Sequence, residues 1–488
     1  MEYLVTAPEL LATTAADVGE IGSAITDANA SAAGPTARVV AAAKDEVSEA
    51  IAKLFGEYGQ QYQAVLTKAA AFHDDFTRAL AAAGNAYAQA EASTAALLTG
   101  GTPSALNALG TLGTSAVTGF ANPSAQQVVA LIMGGTWNPL PDPVYLGNVN
   151  LAYILPHFPG ANPLAQLTPE QLWPVTPQLG NETFGTSVAQ GVSLLDAGIK
   201  AQLALGNKVV VFGYSQSATI ATDEIRNLMA AGSPNTGDLS FVLAGNPNNP
   251  DGGLFERFNG FDIPFLNVHF NGATPPNSPY PTSIYTIQYD GIGDAPQYPL
   301  NVVSDLNAFL GYFVLHSNYP FLTPDQVAGA VQLATSPGYT GNTQYYMVMT
   351  QNLPLIQFIR DIPYAGPPIA DIFQPDLRVL VDLGYGDIGP GGGYANLPTP
   401  ASLLSVPNVG RVAVDLAEGA VQGPWSAVVD IVVESGYTPA TSWYPDAYPY
   451  LPSPDPHLHI YLGQPSVTGL SRLTSGLGSI LDLIPAFS

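Results

Sequence analysis

The sequence predicts an α/β fold built on a mainly parallel sheet and preceded by an N-terminal α-helical hairpin. Three observations carry this expectation. Residues 1 to about 95 are Ala-rich and repeat their apolar positions in steps of three and four. From about residue 125, short and nearly continuous apolar runs alternate with helical patterns, as strands buried on both faces require. One such run, KVVVF at 208–212, meets the sharp turn Gly213-Tyr214-Ser215-Gln216-Ser217, and a helix begins at once.

In the first region, Pro8-Glu9 suits a helix start, Gly34-Pro35 breaks that helix, and a second helix carries an apolar stripe from Val47 to Leu80 before ending at Gly84-Asn85. A two-helix hairpin cannot cover its own apolar stripe, so docking on another helical protein is expected over packing on its own chain. Residues 96–124 are rich in Gly, Thr, Ser, Ala and Asn and read as a linker. The expected strands of the next region, 125–395, are Val128 to Met133, Lys208 to Phe212, Leu239 to Ala244 and Ser283 to Tyr289. Its expected helices are Phe184 to Leu205, Ser217 to Met229 and Asp305 to Leu315, with Leu377 to Leu380 as a further short strand. Residues 396–488 form a Pro/Gly-rich extension, open between a lid, a tail and a substrate cover.

Composition bounds the function. A chain of 488 residues exceeds one ordinary core, and 47% apolar content can fill two. Only 10% of residues are charged, which argues against disorder. The net charge of −25 repels phosphate backbones, so nucleic acid is excluded as an expected partner. The absence of cysteine excludes disulfides, thiolate metal sites and a cysteine nucleophile. The N-terminus lacks a basic segment followed by a long apolar run, so a classical signal peptide is not expected.

The turn around Ser215 is the context a nucleophile elbow needs, with small residues where strand and helix approach each other. Ser217 stands where the common form has a second glycine. A serine nucleophile needs a base, and the base an orienting acid, in the chain order nucleophile, acid, histidine. Asp294 is assigned as the acid and His316 as the base. Asp290, closer to the strand end, is the rival acid, alternatively a holder of the loop through backbone amides. The oxyanion donors are expected from the amide of Gln216 and from Thr136, by its amide and its hydroxyl, with a plain glycine turn at Gly134-Gly135 as the alternative. His269 reads as a core histidine. His457 and His459 alternate but lack further ligands, so no metal and no cofactor are expected.

These residues carry a resemblance. Pro8-Glu9, the hairpin, and Tyr87-Ala88-Gln89-Ala90-Glu91, which matches a Y-x-x-x-D/E secretion signal, resemble the PE domain of mycobacterial PE/PPE proteins. The GYSQSA turn, the stretches 289–296 and 301–316, and QPDLRVLVDLGYG at 374–386 are similar to the PE-PPE hydrolase domain, itself cutinase-like. The resemblance implies an α/β-hydrolase acting on short- to medium-chain carboxylic esters through an acyl-enzyme. It also implies export by type VII secretion, a PPE partner on the hairpin, and a place in the cell envelope, at the surface or in the medium. An acyltransferase using cell-envelope glycolipids, or a non-catalytic surface interaction protein, are the alternative functions.

Overall fold

The computed structural model describes residues 126–386, 393–437, 458–460, 463 and 466–481, together with helical positions between Ala16 and Gly34. The chain divides into two compact units, Met1–Pro123 and Ser124–Ser488. The turn at Gly34-Pro35, the second helix of the hairpin and the Tyr87–Glu91 stretch reach outside the described residues.

In the second unit the chain runs β1 (Val128–Ile132), α1 (Pro143–Val149), β2 (Asn162–Ala165), α2 (Phe184–Ala204), β3 (Lys208–Tyr214), α3 (Gln216–Ala230) and β4 (Leu239–Ala244). It continues through a small ribbon of β5 (Asp262–Ile263) and β6 (Val268–His269), then β7 (Thr282–Ile287), α4 (Val302–Val314), β8 (Val331–Gln332) and β9 (Thr343–Val348). Three long helices follow: α5 (Gly366–Asp382), α6 (Val409–Glu434) and α7 (Gly469–Leu481). The strands form one seven-stranded sheet in the order β2-β1-β3-β4-β7-β9-β8, parallel except for β8 on β9. This is the mainly parallel α/β-hydrolase sheet that the alternation of apolar runs predicted.

Successive residues of the central strands feed opposite faces. Val209, Val211, Phe241 and Leu243 pack with α2 and α3, whereas Val210, Phe212, Val242 and Ala244 pack with Tyr153, Tyr285 and Tyr319 on the other side. Both faces are therefore dry, which is why these strands read as unbroken apolar runs. The chain leaves β1 outward to the edge strand β2, then crosses back to β3 on β1's other side. That reversal falls between β1 and β3, and open α/β sheets place their sites at the carboxyl ends of the strands on either side of such a reversal.

Two sequence expectations change, one strand was not anticipated, and part of the segment left open is filled. Leu377–Leu380 is not a strand but the end of α5, whose buried residues Ala370, Gln374, Arg378 and Val381 recur at helical spacing. His269, in the two-residue strand β6, is exposed and bonded to Asp262 rather than buried in a core. Strand β9 was hidden because its buried Thr343, Tyr345 and Met347 alternate with polar and aromatic neighbours. The segment after 396 contributes α6, which packs along α5: a Cβ on Gly419 would lie 2.2 Å from Asp376 Oδ1, and one on Gly423 2.3 Å from the Ile372 carbonyl.

Arg257 ties the loops over the sheet together. Fully buried, it donates to the carbonyls of Ala295 (2.9 Å) and Thr399 (2.6 Å) and pairs with Asp251 at 3.2 Å. Removing one partner of a buried ion pair strands the other charge. Arg257→Met should therefore lower the unfolding free energy by about 3–5 kcal/mol. Urea denaturation of the full chain measures this, and a loss below about 1 kcal/mol would show that Asp251 finds compensation elsewhere.

Candidate active site

Ser215 lies between β3 and α3 with φ 57° and ψ −118°, a region a residue with a side chain enters only under constraint. The constraint is the close approach of strand to helix. A Cβ on Gly213 would stand 2.6 Å from the Ser217 carbonyl oxygen, so glycine is required there. Ser217, in the place of the second glycine, braces the turn. Its hydroxyl accepts from the Tyr214 amide at 2.8 Å and donates to the Tyr214 carbonyl at 3.1 Å. The departure from the glycine form thus adds two bonds across the elbow.

The histidine arrives from the far side of the sheet. His316 directly follows the end of α4, and its Nε2 lies 2.8 Å from Ser215 Oγ. Its Nδ1 lies 2.9 and 3.0 Å from the two carboxylate oxygens of Asp290. A carboxylate can only accept, so the ring proton belongs on Nδ1 and the Nε2 lone pair faces the serine hydroxyl. Tyr214 and Tyr312 flank the ring at centroid distances of 5.4 and 5.6 Å, and the Tyr214 hydroxyl donates to the His316 carbonyl at 2.6 Å. Gly245, at φ 52°, leaves room for it, since a Cβ there would sit 3.1 Å from His316 Cε1.

The acid that reaches the histidine is Asp290, not Asp294. Asp290 follows β7 closely and points across the carboxyl edge of the sheet. It also accepts from the Ile292 and Gly293 amides (3.1 and 3.2 Å) and from the Tyr319 hydroxyl (2.8 Å). The same carboxylate therefore both holds its loop and orients the histidine, two roles treated as alternatives on the sequence alone. Asp294 turns the other way and accepts from the Tyr289 amide at 2.7 Å, closing the loop from behind. Burial pushes the Asp294 carboxyl up to about 7, the Tyr289 amide and Arg257 opposing that rise.

The loop after β1 meets the elbow at its rim. A Cβ on Gly135 would lie 2.9 Å from the Tyr214 ring and 3.2 Å from the Tyr214 carbonyl oxygen, and one on Gly134 2.0 Å from the Asn138 carbonyl oxygen. These glycines let the loop lie against the turn. The Thr136 hydroxyl donates to Gln216 Oε1 at 2.8 Å. That hydroxyl is thereby committed, which leaves the Thr136 and Gln216 backbone amides as the donors available to an oxyanion. The Gln216 side chain donates in turn through Nε2 to the Gln171 carbonyl (3.0 Å) and Ser187 Oγ (2.8 Å). Gln171, Ser187 and Tyr319 carry no motif signal and were not singled out from the sequence.

The remaining histidines lie elsewhere. His157 bonds the Tyr285 hydroxyl at 2.8 Å, and His459 Nε2 donates to the Leu383 carbonyl at 2.7 Å. His457 and His73 lie outside the described residues, among which no group of three or more potential ligands gathers to hold a metal.

Known proteins share this organisation. A PE family model matches residues 4–94 and a PE-PPE domain model residues 159–386. The PE family protein PE3 of Mycobacterium tuberculosis is 56% identical over 99% of both chains. Esterase PE16 of the same organism is 43% identical over 91% of this chain and 80% of its own. Among solved structures, a cutinase-like protein from Cryptococcus sp. aligns over 36% of this chain and 82% of its own, with 21% identity and a TM-score of 0.26.

Beneath the loop after β1 sits a second buried acid. Glu170, at φ 50°, accepts at its carbonyl from the Trp137 amide (3.1 Å) and at its carboxylate from the Thr168 hydroxyl (2.7 Å). Its other carboxylate oxygen is buried without a hydrogen-bond partner, and burial raises the group to about 8 from 4.5. The folded state then holds this proton over a range in which the unfolded chain has released it. Stability supplied by Glu170 is complete below its unfolded value of 4.5 and is lost as pH rises through about 8. Glu170→Gln should remove part of that decline. Thermal denaturation of both proteins from pH 5 to 9 tests this, and parallel pH profiles would rule the assignment out.

Proposed function

Since this chain belongs to the PE family and carries a PE-PPE domain behind its PE region, we propose that it is a serine carboxylic-ester hydrolase of the esterase or lipase type, working through an acyl-enzyme. One observation carries the reading: a single imidazole bridges a strained serine hydroxyl and a buried carboxylate. The family likeness to a protein named an esterase supports it.

In this mechanism His316 Nε2 takes the Ser215 proton as Oγ attacks the ester carbonyl carbon. Asp290 holds the tautomer and stabilises the imidazolium that forms. The carbonyl electrons collect on an oxyanion held by the Gln216 and Thr136 amides, at the positive end of α3. Collapse of the tetrahedral intermediate expels the alcohol, which receives its proton from His316. Water, activated by the same Nε2, then releases the acid and restores the serine. None of these steps calls for a metal or a cofactor.

The proposed substrates are short- to medium-chain esters, and lipid esters at an interface. The PE region supports the remainder of the reading: pairing of the N-terminal hairpin with a PPE protein, type VII export, and work in the cell envelope or outside the cell. Transfer of the acyl group to an envelope alcohol would use the same intermediate, so free acid and new ester must be measured separately when an acceptor is supplied.

Hydrolysis of p-nitrophenyl butyrate by point variants separates the roles. Ser215→Ala should abolish turnover, and Asp290→Asn should lower kcat by about 10³–10⁴-fold by favouring the wrong tautomer. Asp294→Asn keeps an acceptor for the Tyr289 amide and should cost less than about tenfold. Full activity in Ser215→Ala would end the serine mechanism, and a larger loss at Asp294 than at Asp290 would return the acid to position 294.

A further inference from the structure

Helix α4 has the reverse of the usual polarity. Its inner face is small and polar: Ser304, Asn307, Ala308 and Gly311 are buried. The reason is the backbone it crosses. A Cβ on Gly311 would lie 2.0 Å from the Tyr289 carbonyl oxygen, and one on Gly291 would lie 2.3 Å from the Ala308 carbonyl oxygen. Only small residues let the helix rest on the acid loop. The large apolar side chains point outward: Val302, Leu306, Phe309 and Phe313 form one exposed stripe at helical spacing, with Phe309 60% and Phe313 62% accessible. Much of that stripe's apolar surface stays in water after folding.

The stripe is continuous with the catalytic opening. Tyr312, partly exposed on the same helix, packs edge-on against Phe313 and stacks on the His316 ring. Phe321, at the end of the turn that begins with His316, is exposed as well. Helix α1 packs against that turn and presents Val144 outward, while Trp137 and Leu140 are exposed on the loop that carries Thr136. Apolar surface therefore adjoins the histidine side and the oxyanion side of the serine. Across residues 300–321 the one carboxylate is Asp305, and there is no lysine or arginine.

We propose that the outer face of α4 docks the enzyme on an uncharged lipid–water surface, holding the Ser215 opening against the ester groups of that surface. The proposal rests on the ester-hydrolase reading above and names where its substrate is met. A helix exposing whole apolar side chains on its outer side suits a flat, deformable lipid surface, and a separate pocket for one acyl chain is not what it builds. The net charge of −25 turns the protein away from anionic membranes, so the surface it fits carries no net charge.

Flotation of the full chain with phosphatidylcholine vesicles tests this, using wild type, Ser215→Ala, and the double variant Leu306→Ser with Phe309→Ser. Both substituted side chains of the double variant are exposed and outside the catalytic groups. Wild type and Ser215→Ala should float with the vesicles, and the double variant should lose at least about tenfold in partitioning. On soluble p-nitrophenyl butyrate the double variant should stay within about twofold of wild type, while its rate on emulsified tributyrin drops at least about tenfold. Wild type that stays unbound would overturn the proposal, as would a double variant that floats equally well or loses both activities in parallel. A wild-type dimer that the double variant dissolves, without vesicle binding, would reassign the face to a second copy of the chain. Flotation lost on the double substitution, in a protein with no ester activity, would uphold the docking surface while ending the hydrolase reading alone.

Discussion

The site depends on backbone crowding. Strand β3 and helix α3 meet so closely at Gly213 that the residue between them is driven to φ 57°, and that residue is Ser215. The same requirement recurs around it. Gly135 lets the loop after β1 lie on Tyr214, Gly245 clears space for the histidine ring, and Gly291 and Gly311 let α4 settle on the acid loop. Each of these contacts brings main chain to a place where a Cβ would intervene. The distances within the candidate site are set by how near main chain can come to main chain at Gly213, Gly291 and Gly311, and to side chains at Gly135 and Gly245.

Polar satisfaction completes what crowding begins. Asp290 is fully buried, yet two backbone amides, the Tyr319 hydroxyl and the His316 ring all donate to it. Tyr319 accepts in turn from the Ile287 amide at 2.7 Å, so the acid is anchored to the strand from which it emerges. These donors fix the direction of the carboxylate, so that both of its oxygens face Nδ1 of the histidine. Asp294, four residues on, has fewer donors and is pushed toward its neutral form. Two carboxylates in one short loop thus meet different partners.

The sheet and the sharp turn at Ser215 were legible because both leave local signals. An apolar run flanked by helical spacing marks a buried strand, and a small-residue turn between KVVVF and a helix marks an elbow. His316 was legible from chain order. The choice of acid was not, because Asp290 and Asp294 share one loop and differ only in direction, which is fixed by the Tyr289 turn and by α4 lying over Gly291. Tyr319 and the Gln216 side-chain bonds were equally hidden, since their partners are 29 to 80 residues away. Helix α5 was misread at 377–380 because four apolar-rich residues have no period of their own, and the long packing of α6 on α5 is invisible in a Pro/Gly-rich composition.

The side chain of Gln216 has a consequence for how such a protein can diversify. It holds Thr136 from one end and Gln171 and Ser187 from the other, so the loop after β1 is cross-linked to the turn that carries the proposed oxyanion donor. The backbone beyond Thr136 is held as well, by the Trp137 amide on Glu170 and the Asn138 amide on Gly135. The exposed side chains of Trp137 and Leu140 can then change in bulk or polarity while the main chain of the loop stays in place. Chemistry and substrate choice become separable traits, and one catalytic frame can be refitted to new esters by substitutions at its margin.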